Sequence, residues 1–237
     1  KADYGELVHF CLELFHAGHA GWPGPFTGTL GDASRDSAID LLQEITLAVF
    51  SRKLEDNFEH RAWRSRWQAL IPGYIDWQIA RQPDWAFQQA ELQQAVDLGN
   101  GRALKGRLDR IDLGAHGRAI IDYKTGNPPK QADVDSGEKV QLSSYALLTE
   151  APPARVEYLK LDRKVSTGAV LEGEALATLG DAVRQRLVAV LRDIDSGAPL
   201  PAWGDSKTCE YCTMDGLCRR QTWPGPESDG IDAAKTP

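Results

Sequence analysis

The spacing of apolar positions divides the chain into helical and extended stretches. Over residues 5–17, Val8, Cys11, Leu12 and Phe15 recur at helical spacing, with Glu6, His9, Glu13 and His16 on an adjacent polar face. A Gly- and Pro-rich loop follows over 18–31. Ile39, Leu42, Ile45, Val49 and Phe50 predict a helix over Ser37–Lys53. Trp63, Trp67, Leu70, Tyr74 and Trp77 predict another over 57–81, with Pro72 expected to kink or interrupt it. That aromatic seam reads as core and not as a base-stacking platform. Residues 106–112 and 119–126 read as strands joined by the turn Gly114-Ala115-His116-Gly117. A helix is expected over 136–149 and a half-buried strand over 154–162. A long amphipathic helix is expected over 172–196, stopped by Gly197. Residues 86–96 are helical by propensity.

The hairpin carries candidate chemistry. Asp122 and Lys124 lie on one face of a strand, about 7 Å apart, and an antiparallel neighbour can bring Asp109 beside them. Two carboxylates and an ammonium suit a divalent cation and an attacked phosphate. The ordinary alternative is a solvated cross-strand charge pair. Against it, Ile120 and Ile121 place Asp122 in an apolar run, where an unpaired charge is costly.

The run Gly106-x-x-Asp109-Arg110-Ile111-Asp112, then Asp122-Tyr123-Lys124-Thr125-Gly126, then Gln141-x-x-x-Tyr145, resembles the nuclease core of the PD-(D/E)xK superfamily. Gly5-x-Leu7-Val8-His9 resembles the first motif of its RecB-like branch, found at the C-terminal end of AddB-type repair and recombination proteins. The resemblance implies an α/β fold, a restriction-endonuclease-like mixed β-sheet flanked by helices, with a helical insertion over about 32–82. It implies one nuclease domain over 1–222, with a cysteine-containing segment over 203–222 and a disordered polar tail over 223–237.

The resemblance also assigns roles. Asp109, Asp122, His9, Glu91 and the carbonyl of Tyr123 would hold Mg²⁺ or Mn²⁺. Lys124 would act on the reacting phosphate, and Gln141 and Tyr145 would orient it or touch the DNA. It makes 86–96 a strand that brings Glu91 to the metal. The implied activity is that of a bacterial, cytoplasmic exonuclease working on DNA in double-strand break repair, with a helicase/nuclease partner subunit or domain. A catalytically inactive DNA-binding scaffold with the same fold is the alternative.

Composition limits these readings. The 237 residues suit one sizeable domain, and no stretch approaches the ~20 apolar residues of a membrane span. The chain opens directly into a helix, as expected of a fragment cut from a longer protein. A net charge of −7 excludes a generic nucleic-acid coat. Residues 102–131 nonetheless carry seven cations, including Arg102, Lys105, Arg107 and Arg110, against three carboxylates. Gly99-x-Gly101 is a hairpin turn and not a dinucleotide fingerprint, and no phosphate-binding Gly-x-x-x-x-Gly-Lys-Ser/Thr loop occurs.

Cys209-x-x-Cys212-x5-Cys218 has the spacing of soft-metal or iron–sulfur ligands. A closed zinc site lacks its fourth ligand nearby. The resemblance implies a [4Fe-4S] cluster in the parent protein, completed by an upstream cysteine. It is expected to be incomplete in this fragment, since Cys11 reads as a buried core thiol.

Overall fold

The computed structural model describes residues 2–53, 58–149, 151–199, 209–210 and 212–218. It comprises two units, residues 1–186 and 187–237. In the first, three helices come early: α1 (Ala2–His16), α2 (Arg35–Lys53) and α3 (Phe58–Arg81). The strands β1 (Trp85–Gly99), β2 (Arg102–Gly114) and β3 (Gly117–Lys124) follow. Two short helices, α4 (Gln131–Asp135) and α5 (Gln141–Tyr145), precede β4 (Arg155–Leu161), β5 (Val165–Glu172) and α6 (Gly173–Asp195).

The strands form one mixed sheet in the order β1-β2-β3-β4-β5. Only β3 and β4 run parallel, and α4 and α5 lie in the crossover between them. Alternation along β3 sends Ile121 and Tyr123 to one face and Ile120 to the other, each face having its own core. The first core packs Val8, Leu12 and Phe15 of α1, Ile45 and Val49 of α2, and Trp67, Ile71 and Tyr74 of α3 over Ile121 and Leu159. Burying each such side chain contributes about 1.5–3 kcal/mol. The second packs Val134, Leu142, Tyr145 and Leu176 over Ile120, Val156 and Tyr158. The fold is therefore α/β, a restriction-endonuclease-like mixed sheet flanked by helices.

Several boundaries differ from the pattern. Residues 86–96 are strand, as the resemblance implied and against their helix propensity, because β2 pairs with them along nearly their whole length. The helix expected over 136–149 is reduced to α5 (Gln141–Tyr145), with α4 (Gln131–Asp135) ending just before the expected range. Gly137, at φ +71°, turns the chain between them, and the Lys139 N–H bonds to the Asp133 carbonyl. Pro72 lies inside α3, which continues through it. β4 is buried on both faces, unlike the half-buried strand expected, and β5 had no counterpart in the pattern.

A buried ion network crosses the first face. Arg110, fully buried, donates through Nε to Asp112 Oδ1 at 2.6 Å, and through Nη1 to Gln78 Oε1 at 2.6 Å and Tyr74 Oη at 3.1 Å. Arg81 bridges Asp112 (2.7 Å) and Glu157 (2.6 Å), and Arg155 bonds the other Glu157 oxygen at 3.0 Å. Buried charges persist only with such pairing.

Within the second unit, Cys209, Cys212 and Cys218 flank and enter a single helical turn, Asp215–Cys218. The Met214 N–H lies 3.4 Å from Cys212 Sγ, and no cysteine forms a disulfide. The tail expected to be disordered, 223–237, lies outside the described residues.

Candidate active site

The site forms where β2 and β3 part. Their backbone pairing stops at Arg110–Ile121, and the next contact is made by a side chain: the Tyr123 N–H donates to Asp109 Oδ2 at 2.9 Å. The carboxylate takes the place of a ladder carbonyl and holds the strands apart at a fixed width.

On one side of this fork, α1 delivers His9. Helical spacing from Val8 and Leu12, both buried, points His9 along the polar face toward β3. Gly5 lets the helix lie close, since a Cβ there would meet Thr125 Oγ1 at 3.3 Å. His9 Nε2 lies 3.1 Å from the Tyr123 carbonyl, which can only accept, so Nε2 carries the proton. Nδ1 then turns its lone pair toward Asp109 Oδ2 at 3.6 Å and Glu91 Oε1 at 4.0 Å. Three acceptors thus face one another across a space that calls for a cation. Ligand atoms of His9, Glu91 and Asp109 all lie within 4.8 Å of one another, the one such group among the described residues.

Electrostatics agree. Burial, then repulsion from Asp109, pushes the Glu91 carboxyl up to about 7, although Arg107 Nε lies 2.8 Å from Oε2. Burial also raises Asp109. Both carboxyls resist ionisation in the absence of a cation, which is how a hard-oxygen site behaves before it is filled. Glu91 also has φ +50° in mid-strand, a left-handed conformation costing about 1–2 kcal/mol for a side chain with a Cβ. The imidazole and two carboxylates fit a divalent cation such as Mg²⁺ or Mn²⁺.

On the other side, β3 presents Asp122 and Lys124 on one face, as the alternation required. Lys124 Nζ lies 2.6 Å from Asp122 Oδ2 and 5.2 Å from the centre of the Tyr158 ring. Asp122 Oδ1 accepts from Tyr145 Oη at 2.5 Å and Gln141 Nε2 at 2.8 Å. Four-residue spacing puts Gln141 and Tyr145 on one face of α5, where they also bond each other at 2.8 Å. Asp122 is buried and Lys124 partly exposed, so the ammonium reaches the surface from a fixed base.

All the sequence-derived side chains of the nuclease core therefore converge, in two adjoining groups. His9, Glu91 and Asp109 form one, and Asp122, Lys124, Gln141 and Tyr145 the other. The Tyr123 carbonyl accepts from His9. Cys209, Cys212 and Cys218 are in the second unit. Two contributors escaped the sequence reading. Tyr158 pairs with Asp122 across β3–β4 and donates to Gln141 Oε1 at 3.3 Å, yet in sequence it is one apolar residue of a strand. Arg107 was counted only as local charge, although it pairs with Glu91.

No curated protein matches the chain. Among solved structures, it is similar to one described as "Crystal structure of SSO0001", at 15% identity over 90% of this chain and 94% of that one. The TM-score is 0.34. A family model is decisive by its extent: the PD-(D/E)XK nuclease superfamily matches residues 1–219, from the helix bearing His9 through the sheet bearing Asp109, Asp122 and Lys124, and the chain belongs to that superfamily.

Proposed function

We propose that the chain is a Mg²⁺- or Mn²⁺-dependent deoxyribonuclease of the RecB-like, AddB-type branch, hydrolysing DNA from ends during double-strand break repair. The carrying observation is the cluster of His9, Glu91 and Asp109 beside the Asp122–Lys124 pair. His9, Glu91 and Asp109 would hold the ion, with Asp122 and the Tyr123 carbonyl at its margin. The ion would supply Lewis-acid stabilisation of the phosphate oxygens.

The chain's own groups do the rest. Tyr145 and Gln141 fix the Asp122 carboxylate, and Asp122 holds the Lys124 ammonium in place. The ammonium then orients the attacking water or offsets charge gathering on the phosphate. Burial around Asp109 and Asp122 strengthens each of these interactions.

Cys209, Cys212 and Cys218 are proposed as thiolate ligands of a [4Fe-4S] cluster in a longer parent that works with a helicase/nuclease partner in the cytoplasm. Cys11 is fully buried in the core of the first unit and is not proposed as the fourth.

The test is cleavage of labelled linear and circular DNA, single- and double-stranded, with Mg²⁺ or Mn²⁺. Linear DNA should be cut and circular DNA spared, and Asp109→Ala and Asp122→Ala should each abolish cutting while retaining the fold. Near-wild-type cutting by either variant at saturating metal would overturn the site. Metal-independent DNA binding without any cutting would favour the non-catalytic scaffold.

A further inference from the structure

Beyond the point where β2 leaves β3, strands β1 and β2 continue together as a two-stranded arm. Its inner face is anchored. Leu92 and Leu104 pack against the second core, and Gly106 lies so close to Leu148 that a Cβ would sit 2.4 Å from Cδ1. The outer face is exposed and reads, moving away from Glu91 and Asp109, Gln93 opposite Arg107, then Ala95 opposite Lys105, then Asp97 opposite Ala103.

This outer face starts at the metal-holding cluster. Arg107, 55% exposed at its side chain, is already paired with Glu91. Lys105 follows two residues along the same strand face, about 7 Å further out. That step resembles the separation of successive phosphates on one nucleic-acid strand. Between them lies a recess of 490 Å³ lined by Gln93, Gln94, Ala95, Lys105, Gly106 and Arg107. The carboxylate of Asp97 is turned to the Gly99 N–H at 2.8 Å, capping the turn. Of the other cations in residues 102–131, Arg110 is buried, Arg118 donates to Gln88, and Lys124 belongs to the site.

We propose that the outer face of this arm is a track for the DNA phosphodiester backbone, with Arg107 and Lys105 contacting successive phosphates as the strand leaves the cleavage site. The proposal rests on the nuclease reading and adds to it the direction in which substrate runs. Its anchored inner face makes the track rigid, so little ordering entropy opposes binding. A single pair of cations gives modest, salt-sensitive affinity, which suits a strand that must advance after each cut.

The test is equilibrium binding of fluorescein-labelled oligonucleotides, roughly 4 to 16 nucleotides long, to the full chain in Ca²⁺, over a range of salt. Lys105→Ala should weaken binding about threefold to fivefold. It should also reduce the slope of log K against log[salt] by about 0.7 for single strands. It should raise KM with kcat kept, and short oligonucleotides that end before the arm should not distinguish it from wild type. Ala95→Glu should weaken binding further, whereas Arg184→Glu, an exposed charge on α6, should not. If the wild type binds and cleaves DNA but Lys105→Ala keeps its affinity and salt slope, the track is wrong while the nuclease reading stands. If the wild type neither binds nor cleaves DNA, the nuclease reading fails and the track with it.

Discussion

Neutralising Glu91 should shift the stability of the metal-free and metal-loaded protein in opposite directions. Burial and Asp109 raise the Glu91 carboxyl from its ordinary 4.5 to about 7. The folded state therefore binds more protons than the unfolded chain across that window, and stability falls as pH rises through it. At pH 8 the cost of the ionised group is fully present. Glu91→Gln removes it at nearly constant volume, losing in exchange only a partly exposed pairing with Arg107, worth up to about 1 kcal/mol. In EDTA the variant should melt higher than wild type. With Mn²⁺ at about one hundred times its Kd, the wild type should gain about 2.7 kcal/mol. At about 2–4 °C per kcal/mol for a chain of this size, that is a rise of roughly 5–11 °C. The variant, with one hard ligand gone, should gain much less at the same metal concentration. Thermal melts followed by circular dichroism at pH 8, with and without Mn²⁺, read both effects. An equal metal gain in both proteins, or a variant that is less stable in EDTA, would refute the assignment of Glu91 as a ligand held under electrostatic strain.

Three further outcomes are expected. Lys124→Ala should keep metal-dependent stabilisation but lose turnover severely, and Lys124→Arg should not restore it, since a guanidinium is broader than the ammonium seated by Asp122 and Tyr158; single-turnover cleavage measures this. Tyr145→Phe removes a bond to the Asp122 carboxylate worth about 1.5–3 kcal/mol, and should lower kcat by roughly 10- to 150-fold with KM little changed; an unchanged kcat would show that Gln141 alone positions Asp122. Arg110→Met removes the fully buried cation that Asp112 and Gln78 share and one of several partners of Tyr74, and should cost about 3–5 kcal/mol in urea unfolding, whereas a loss below about 1 kcal/mol would mean that Arg81 suffices for Asp112.

The local pattern determined much of this protein. Apolar spacing placed α1, α2, α3 and α6 within a few residues, because an amphipathic helix must bury one stripe whatever covers it. Alternation put Asp122 and Lys124 on one face, and four-residue spacing paired Gln141 with Tyr145, because both relations are fixed by backbone period alone. What the pattern could not express were the choices made by partners distant in sequence. Residues 86–96 are strand because β2 lies beside them, and β5 exists because β4 offers it an edge, although Gly168 weakens its own propensity. Arg110 reads as one more surface cation until Asp112, Gln78 and Tyr74 surround it. The same holds at the site. Sequence named Asp109 through the pairing expected of the hairpin, and His9 and Glu91 through a family resemblance. Their meeting, 82 and 18 residues apart along the chain, depends on α1 crossing the fork where β2 leaves β3. Periodicity fixes which way a side chain faces along its own element, whereas the charge it meets there is set by burial and packing between elements.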